Sequence, residues 1–96
     1  MSDQPVHIEK LSNVSDLENL NVGYWIKGRL TTEIEVGKRL VAWREVKNGV
    51  KAEGLFRTSQ IQDVREWSKS DCSGVDVTTS NSVYRVKFIT EDELTE

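Results

Sequence analysis

Asn48-Gly49 lies between two apolar-rich runs, residues 38–47 and 50–56. This dipeptide is the strongest short signal for a β-hairpin, because a type I′ turn needs positive φ at both central residues. Counting outward from the turn predicts a ladder in which Lys47 faces Val50, Arg44 faces Glu53, Trp43 faces Gly54 and Val41 faces Phe56. Opposite charges meet in that ladder, an indole covers the bare backbone of a strand glycine, and two large apolar side chains share a face.

A second hairpin is expected near the C-terminus. A two-residue turn at Asn81-Ser82 sets Thr79 against Tyr84, Val77 against Val86 and Val75 against Phe88, which gathers the large apolar groups on one face. The same register places Asp76 against Lys87 and Thr78 against Arg85 on the other face. A three-residue turn would set Val77 against Arg85 and scatter the apolar set.

Earlier in the chain, residues 6–8 alternate apolar and polar after Pro5, whose missing N–H is harmless at a strand start. Residues 12–20 carry the cap-type Asn13 and Ser15 ahead of Asp16-Leu17-Glu18, which suits one helical turn. Residues 22–32 have a clean period of two: Val22, Tyr24, Ile26, Gly28 and Leu30 on an inward face, Trp25, Lys27, Arg29 and Thr31 on the other. The segment 61–67 reads as a capped helix or as a strand with a bulge, and the strand is the favoured reading. The expected fold is therefore mainly β: six to seven short antiparallel strands in a small, curved sheet or partly open barrel of SH3-like or OB-like type, with at most one short helix. It comprises one domain over residues 1–90, followed by a solvated, acidic tail over residues 91–96.

Composition narrows the setting. Ninety-six residues provide for one small core. No apolar run approaches the roughly 18 residues that a membrane span requires, and residues 1–10 carry acids and a proline where a secretion signal would place lysine before an apolar block. A cytoplasmic address is the expectation. The single cysteine, Cys72, allows no internal disulfide and no Cys-based zinc site. The net charge of −3 comes from the last six residues, EDELTE, which hold four acids. Residues 23–65 are mildly basic, with nine Lys and Arg against five Asp and Glu, a smaller excess than dedicated DNA-binding domains show.

The segment Ile26-Lys27-Gly28-Arg29-Leu30, followed by Ile34-Glu35-Val36-Gly37-Lys38-Arg39-Leu40-Val41, resembles the β-barrel second domain of translational GTPases, where a glycine-bearing strand leads to an apolar-x-Val-Gly turn. The likeness spans under half of the chain, and the nucleotide-binding motifs of those proteins are absent. Phe56-Arg57-Thr58-Ser59 and Thr79-Ser80-Asn81-Ser82-Val83-Tyr84 are similar to segments of small uncharacterised bacterial, plasmid and phage proteins. Both resemblances imply a barrel, and neither implies an activity or a functional residue.

Catalysis needs a poised acid, base or nucleophile. The only histidine, His7, is more than 60 positions from Cys72, and neither clustered metal ligands nor a phosphate-cradling glycine loop is present. No enzyme activity, cofactor or metal is expected. The candidate binding residues are Trp25, Lys27 and Arg29 on the outward face of the 22–32 strand, with Arg44 and Arg57 together on the hairpin face opposite Trp43. If those faces adjoin, they form a basic surface carrying an aromatic ring. Two roles follow: a binding or regulatory accessory module that contacts a protein partner, tryptophan and arginine being favoured at such contacts, or a barrel that stacks bases and follows a phosphate backbone. The bland alternative is that Trp25 covers an apolar patch, Arg44 pairs with Glu53, and the other cations are solvated strand residues. Trp67 is either a lid over an open barrel end or an anchor for a partner.

Overall fold

The structure is a computed structural model that describes residues 4–13 and 23–95. Six strands follow one another: β1 (Pro5–Asn13), β2 (Trp25–Leu30), β3 (Arg39–Lys47), β4 (Val50–Ser68), β5 (Ser73–Thr79) and β6 (Ser82–Phe88). They pair antiparallel in sequence order, and β1 closes the ring on β6. Among the described residues one short helix, α1 (Glu91–Thr95), follows β6. The mainly β expectation holds. The ring is uneven, because β4 runs for 19 residues and serves as partner to β3 along its first half and to β5 along its second.

The turn after Lys47 is the one that Asn48-Gly49 requires. Asn48 has φ 51° and Gly49 φ 85°, and Lys47 pairs with Val50. Asn48 also ties the hairpin to β2, since its Oδ1 accepts from the Trp25 N–H at 2.8 Å and its own N–H donates to the Trp25 carbonyl at 2.9 Å. Beyond the turn the expected ladder fails. After Val46↔Lys51 the register shifts, so that Ala52 and Glu53 together oppose Glu45, and the next pairs are Arg44↔Gly54, Trp43↔Leu55, Ala42↔Phe56 and Val41↔Arg57. A second irregularity, between Lys27 and Gly28 on β2, involves Glu45 the other way round, leaving it as the additional residue of β3 against β2. One added residue exchanges the faces of everything that follows. Leu40 and Ala42 therefore point into the core, fully buried, while Trp43 points out.

Strand β2 behaves as its period of two predicts, with Ile26, Gly28 and Leu30 buried and Trp25, Lys27 and Arg29 half-buried on the other face. The second hairpin turns one residue earlier than expected, because β5 ends at Thr79 and β6 begins at Ser82. The pairs are Val77↔Tyr84, Asp76↔Arg85 and Val75↔Val86. Moving the turn by a whole residue shifts the sum of paired positions by two, so the facing is preserved, and Val75, Val77, Tyr84 and Val86 are all buried. The turn does not use positive φ at Asn81. Buried Thr79 stabilises it instead: its Oγ1 accepts from the N–H groups of Asn81 and Ser82 and donates to the Ser82 carbonyl.

The core is a row of β-branched and aliphatic side chains from all six strands, including Val6, Ile8, Ile26, Leu40, Ile61, Val77 and Val86, with Phe56 and Tyr84 meeting edge to face at 5.8 Å. The segment 61–67 is strand, with the bulge between Ile61 and Asp63. Strand β1 extends through Ser12 and Asn13; the rest of the expected helical turn, residues 14–20, lies outside the described residues. Residues 91–95 form α1 where a solvated, acidic tail was expected. Thr90 Oγ1 accepts from the Glu93 N–H at 3.2 Å, a cap at the helix start, and Leu94 is only 2 % exposed. Among the described residues no helix is long and apolar enough to cross a membrane.

Candidate functional site

The two bulges at Glu45 decide what the outer surface of β2, β3 and β4 carries. Trp43 stands directly opposite Leu55 on one side and Arg29 on the other, and Val41 stands opposite Arg57. Trp43 is 45 % exposed and Leu55 56 % exposed. Two other large apolar side chains, Val36 and Val50, are comparably exposed, but they lie in or beside turns and are not register partners. An adjacent tryptophan–leucine pair held on a ladder, with arginines on either side, is the most pronounced apolar feature of the described surface.

The expected basic–aromatic surface is only partly assembled. Arg57 is exposed and shares the outer face with Trp43, which reverses the expected opposition between them. Arg44 points the other way. It pairs with Gly28 and Gly54 on the inward-facing side at the hairpin end of the barrel, where its Nε donates to the Ala52 carbonyl at 2.7 Å and its guanidinium lies against Gly54. It does not pair with Glu53; that carboxylate is 3.7 Å from Lys51 Nζ. Arg44 thus leaves the candidate surface, for the same reason that Trp43 enters it.

Trp25, Lys27 and Arg29 keep the expected face, but each is engaged. The Trp25 ring stacks on His7 with centroids 4.9 Å apart, and Lys27 Nζ lies 5.9 Å from the Trp25 ring. Lys27 Nζ also donates to the Glu93 carbonyl at 3.0 Å. Arg29 pairs through two guanidinium nitrogens with the carboxylate of Glu91 and, through Nε, with Glu45 at 3.3 Å. Bidentate pairing of that kind fixes the fork. The hydrogen bonds to Glu91 raise the Arg29 pKa above its ordinary value, and Arg29 in turn lowers that of Glu91. Helix α1 thus places a carboxylate on Arg29 and a main-chain carbonyl on Lys27, which disfavours a phosphate backbone there.

His7 is a half-buried member of this group, paired in register with Lys27 and Lys87 and lining a small concavity of about 370 Å³ with Trp25, Ile89 and Glu93. Burial lowers its pKa, aided by Lys27 and Lys87 and opposed by Glu9. A histidine with a depressed folded pKa binds its proton more readily in the unfolded chain, so its contribution to stability is present above the unfolded value of about 6.5 and is lost as pH falls below it. Melting temperature is expected to drop between pH 7 and pH 5 by more than in a His7→Gln variant; parallel profiles for the two proteins would remove His7 as the cause.

Trp67, expected as a lid over an open barrel end or as an anchor, lines the concavity at the barrel end that also touches Val64, Val75 and Phe88. It lies half-buried over Gly74, and the Arg85 guanidinium sits 5.7 Å from its ring while pairing with Asp76. Burial of Tyr24, reinforced by Tyr84, raises the Tyr24 phenol well above its ordinary pKa. Among the described residues no three His, Cys, Asp or Glu side chains gather as metal ligands. Cys72 is partly exposed in the loop between β4 and β5.

Sequence reasoning missed Leu55 and Val41 as surface partners and set Trp43 opposite Gly54, on the face away from Arg44 and Arg57. Leu40-Val41-Ala42-Trp43 is apolar on both faces, so its pattern carries no sign of which face is inward. Buried Thr58 offers a clue: its Oγ1 accepts the Leu40 N–H at 3.2 Å, and threonine at the inward position of β4 marks Phe56 and Thr58 as the inner set.

No family model matches the chain, and no curated protein or solved structure matches it either. The resemblances noted in the sequence therefore assign it to no family.

Proposed function

We propose that this domain is a non-enzymatic binding module that acts through protein–protein contact on the outer face of β2, β3 and β4. The observation that carries the reading is the exposed Trp43–Leu55 pair, bordered by Arg29 and Arg57. An aromatic ring beside an aliphatic side chain on a rigid ladder buries a large area at little entropic cost, and the exposed Arg57 at the margin supplies directional hydrogen bonds. The neutralisation of Arg29 by Glu45 and Glu91 weighs for a protein partner over a nucleic acid.

The test is a quantitative pull-down from host extract with wild type, the double variant Trp43→Ala, Leu55→Ser, and Trp25→Ala as a control. The partner recovered by wild type is expected to fall about thirtyfold or more with the double variant, the loss that a hot spot of about 2 kcal/mol implies. The control should fall by much less. Equal recovery with the double variant would count against this face. Oligonucleotide titrations at two salt concentrations should give no tryptophan response; binding that weakens steeply with salt would favour the nucleic-acid role instead.

A further inference from the structure

Strand β4 outruns its neighbour. Its last pair with β3 is Gln60↔Arg39, and Gly37 and Lys38 reach only as far as Ile61, whose carbonyl accepts the Gly37 N–H and whose N–H donates to the Lys38 carbonyl. From Asp63 to Ser68, β4 pairs with β5 alone. The Lys69 N–H bonds to Cys72 across the β5 side, so the alternation of an antiparallel strand sends the N–H and C=O groups of Val64, Glu66 and Ser68 to the opposite edge. No described main-chain group pairs with them there.

That edge borders a concavity of about 820 Å³ at the end of the barrel where β2 and β6 finish. Its apolar lining includes Leu30, Ile34, Val64, Val75 and Phe88; among the described residues Glu33 and Glu66 are the charged ones that line it, with no lysine or arginine. Val64 is half-buried against the core, and Glu66, two positions on, shares its face of the strand. A segment laid along this edge would therefore turn alternate side chains toward an apolar floor with two carboxylates.

We infer that the Val64–Ser68 edge of β4 accepts an extended segment of a partner protein, added as a further strand, whose inward side chains are apolar and basic. Strand addition of this sort draws affinity from main-chain hydrogen bonds and specificity from the alternate side chains. An unprotected edge is otherwise a liability that sheets cover or blunt. The site is separate from the Trp43–Leu55 face, so it can stand or fall independently of it.

The test titrates the full chain, ¹⁵N-labelled, with two capped hexapeptides, one alternating lysine and valine and the other alternating glutamate and valine. The lysine peptide is expected to shift the amides of Val64, Glu66 and Ser68 and the Trp67 indole, with a Kd at least tenfold below that of the glutamate peptide. Glu33→Gln with Glu66→Gln, both exposed positions, should erase that difference. N-methylation of the peptide amides on the edge-facing side should weaken binding at least tenfold, which separates strand addition from simple charge attraction. The inference is overturned by equal affinity for the two peptides, by shifts confined to residues around Trp43, by the absence of any shift, or by concentration-dependent dimers that protect the same amides.

Discussion

Replacing Gly28 with alanine is expected to lower the unfolding free energy by about 3 kcal/mol or more, at the upper end of what overpacking costs. A Cβ built on Gly28 would overlap the Trp43 carbonyl oxygen and lie 2.9 Å from its carbon and 3.1 Å from Arg44 Cα. All three are main-chain atoms of β3, so no rotamer change relieves the overlap. The strand itself would have to move, and β3 is hydrogen-bonded on both edges, to β2 and to β4. For a chain of this length the total stability is about 5–14 kcal/mol, so the loss is a large share of it. Urea unfolding measures it directly: the midpoint should fall by about 1 M or more with an unchanged slope. A change under about 0.5 kcal/mol would mean that β2 and β3 do not approach each other as described.

The second large effect separates the two faces of the sheet. Ile26 is fully buried and pairs with Ile8, which in turn pairs with Val86, so Ile26→Ala should leave a cavity and cost about 2–5 kcal/mol. Ile8→Ala combined with it should depart from additivity, because the two side chains meet in the same row. Leu55→Ala deletes a similar volume from the outer face and should change stability by about 0.5 kcal/mol at most. Chemical denaturation of the single variants checks the contrast. Comparable losses at Ile26 and Leu55 would show that the inner and outer sets are misassigned.

These contrasts mark where the chain's pattern is readable. The Asn48-Gly49 turn is stated by local chemistry, since few other dipeptides tolerate φ of 51° and 85° in succession. The facing of β2, β5 and β6 is equally clear, because their apolar residues alternate with Lys, Arg, Asp and Thr. The second turn could be misplaced by one residue without harm, as the shift leaves Val77 and Val86 on the same side. The bulges at Glu45 are different. They arise because β3 must curve between two neighbours to close the ring, a tertiary demand that leaves little trace in Leu40-Val41-Ala42-Trp43-Arg44.

The candidate surface inherits that difference. Trp25, Lys27 and Arg29 were placed by alternation alone, and their face is as expected. Arg44 and Trp43 exchanged sides, and with them the basic–aromatic surface became an apolar pair with an arginine margin. The role of α1 was hidden for another reason. One helical turn with a single buried leucine, Leu94, has too little periodicity to be told from a solvated tail, yet it supplies the carboxylate that engages Arg29 and the carbonyl that engages Lys27.

The register irregularities around Glu45 turn Trp43 outward and Ala42 inward. Cross-strand nuclear Overhauser effects between β3 and β4 test this most directly. Contacts joining Trp43 to Leu55 and Ala42 to Phe56 are predicted, whereas contacts joining Trp43 to Gly54 and Val41 to Phe56 would restore the unbulged ladder and contradict the account.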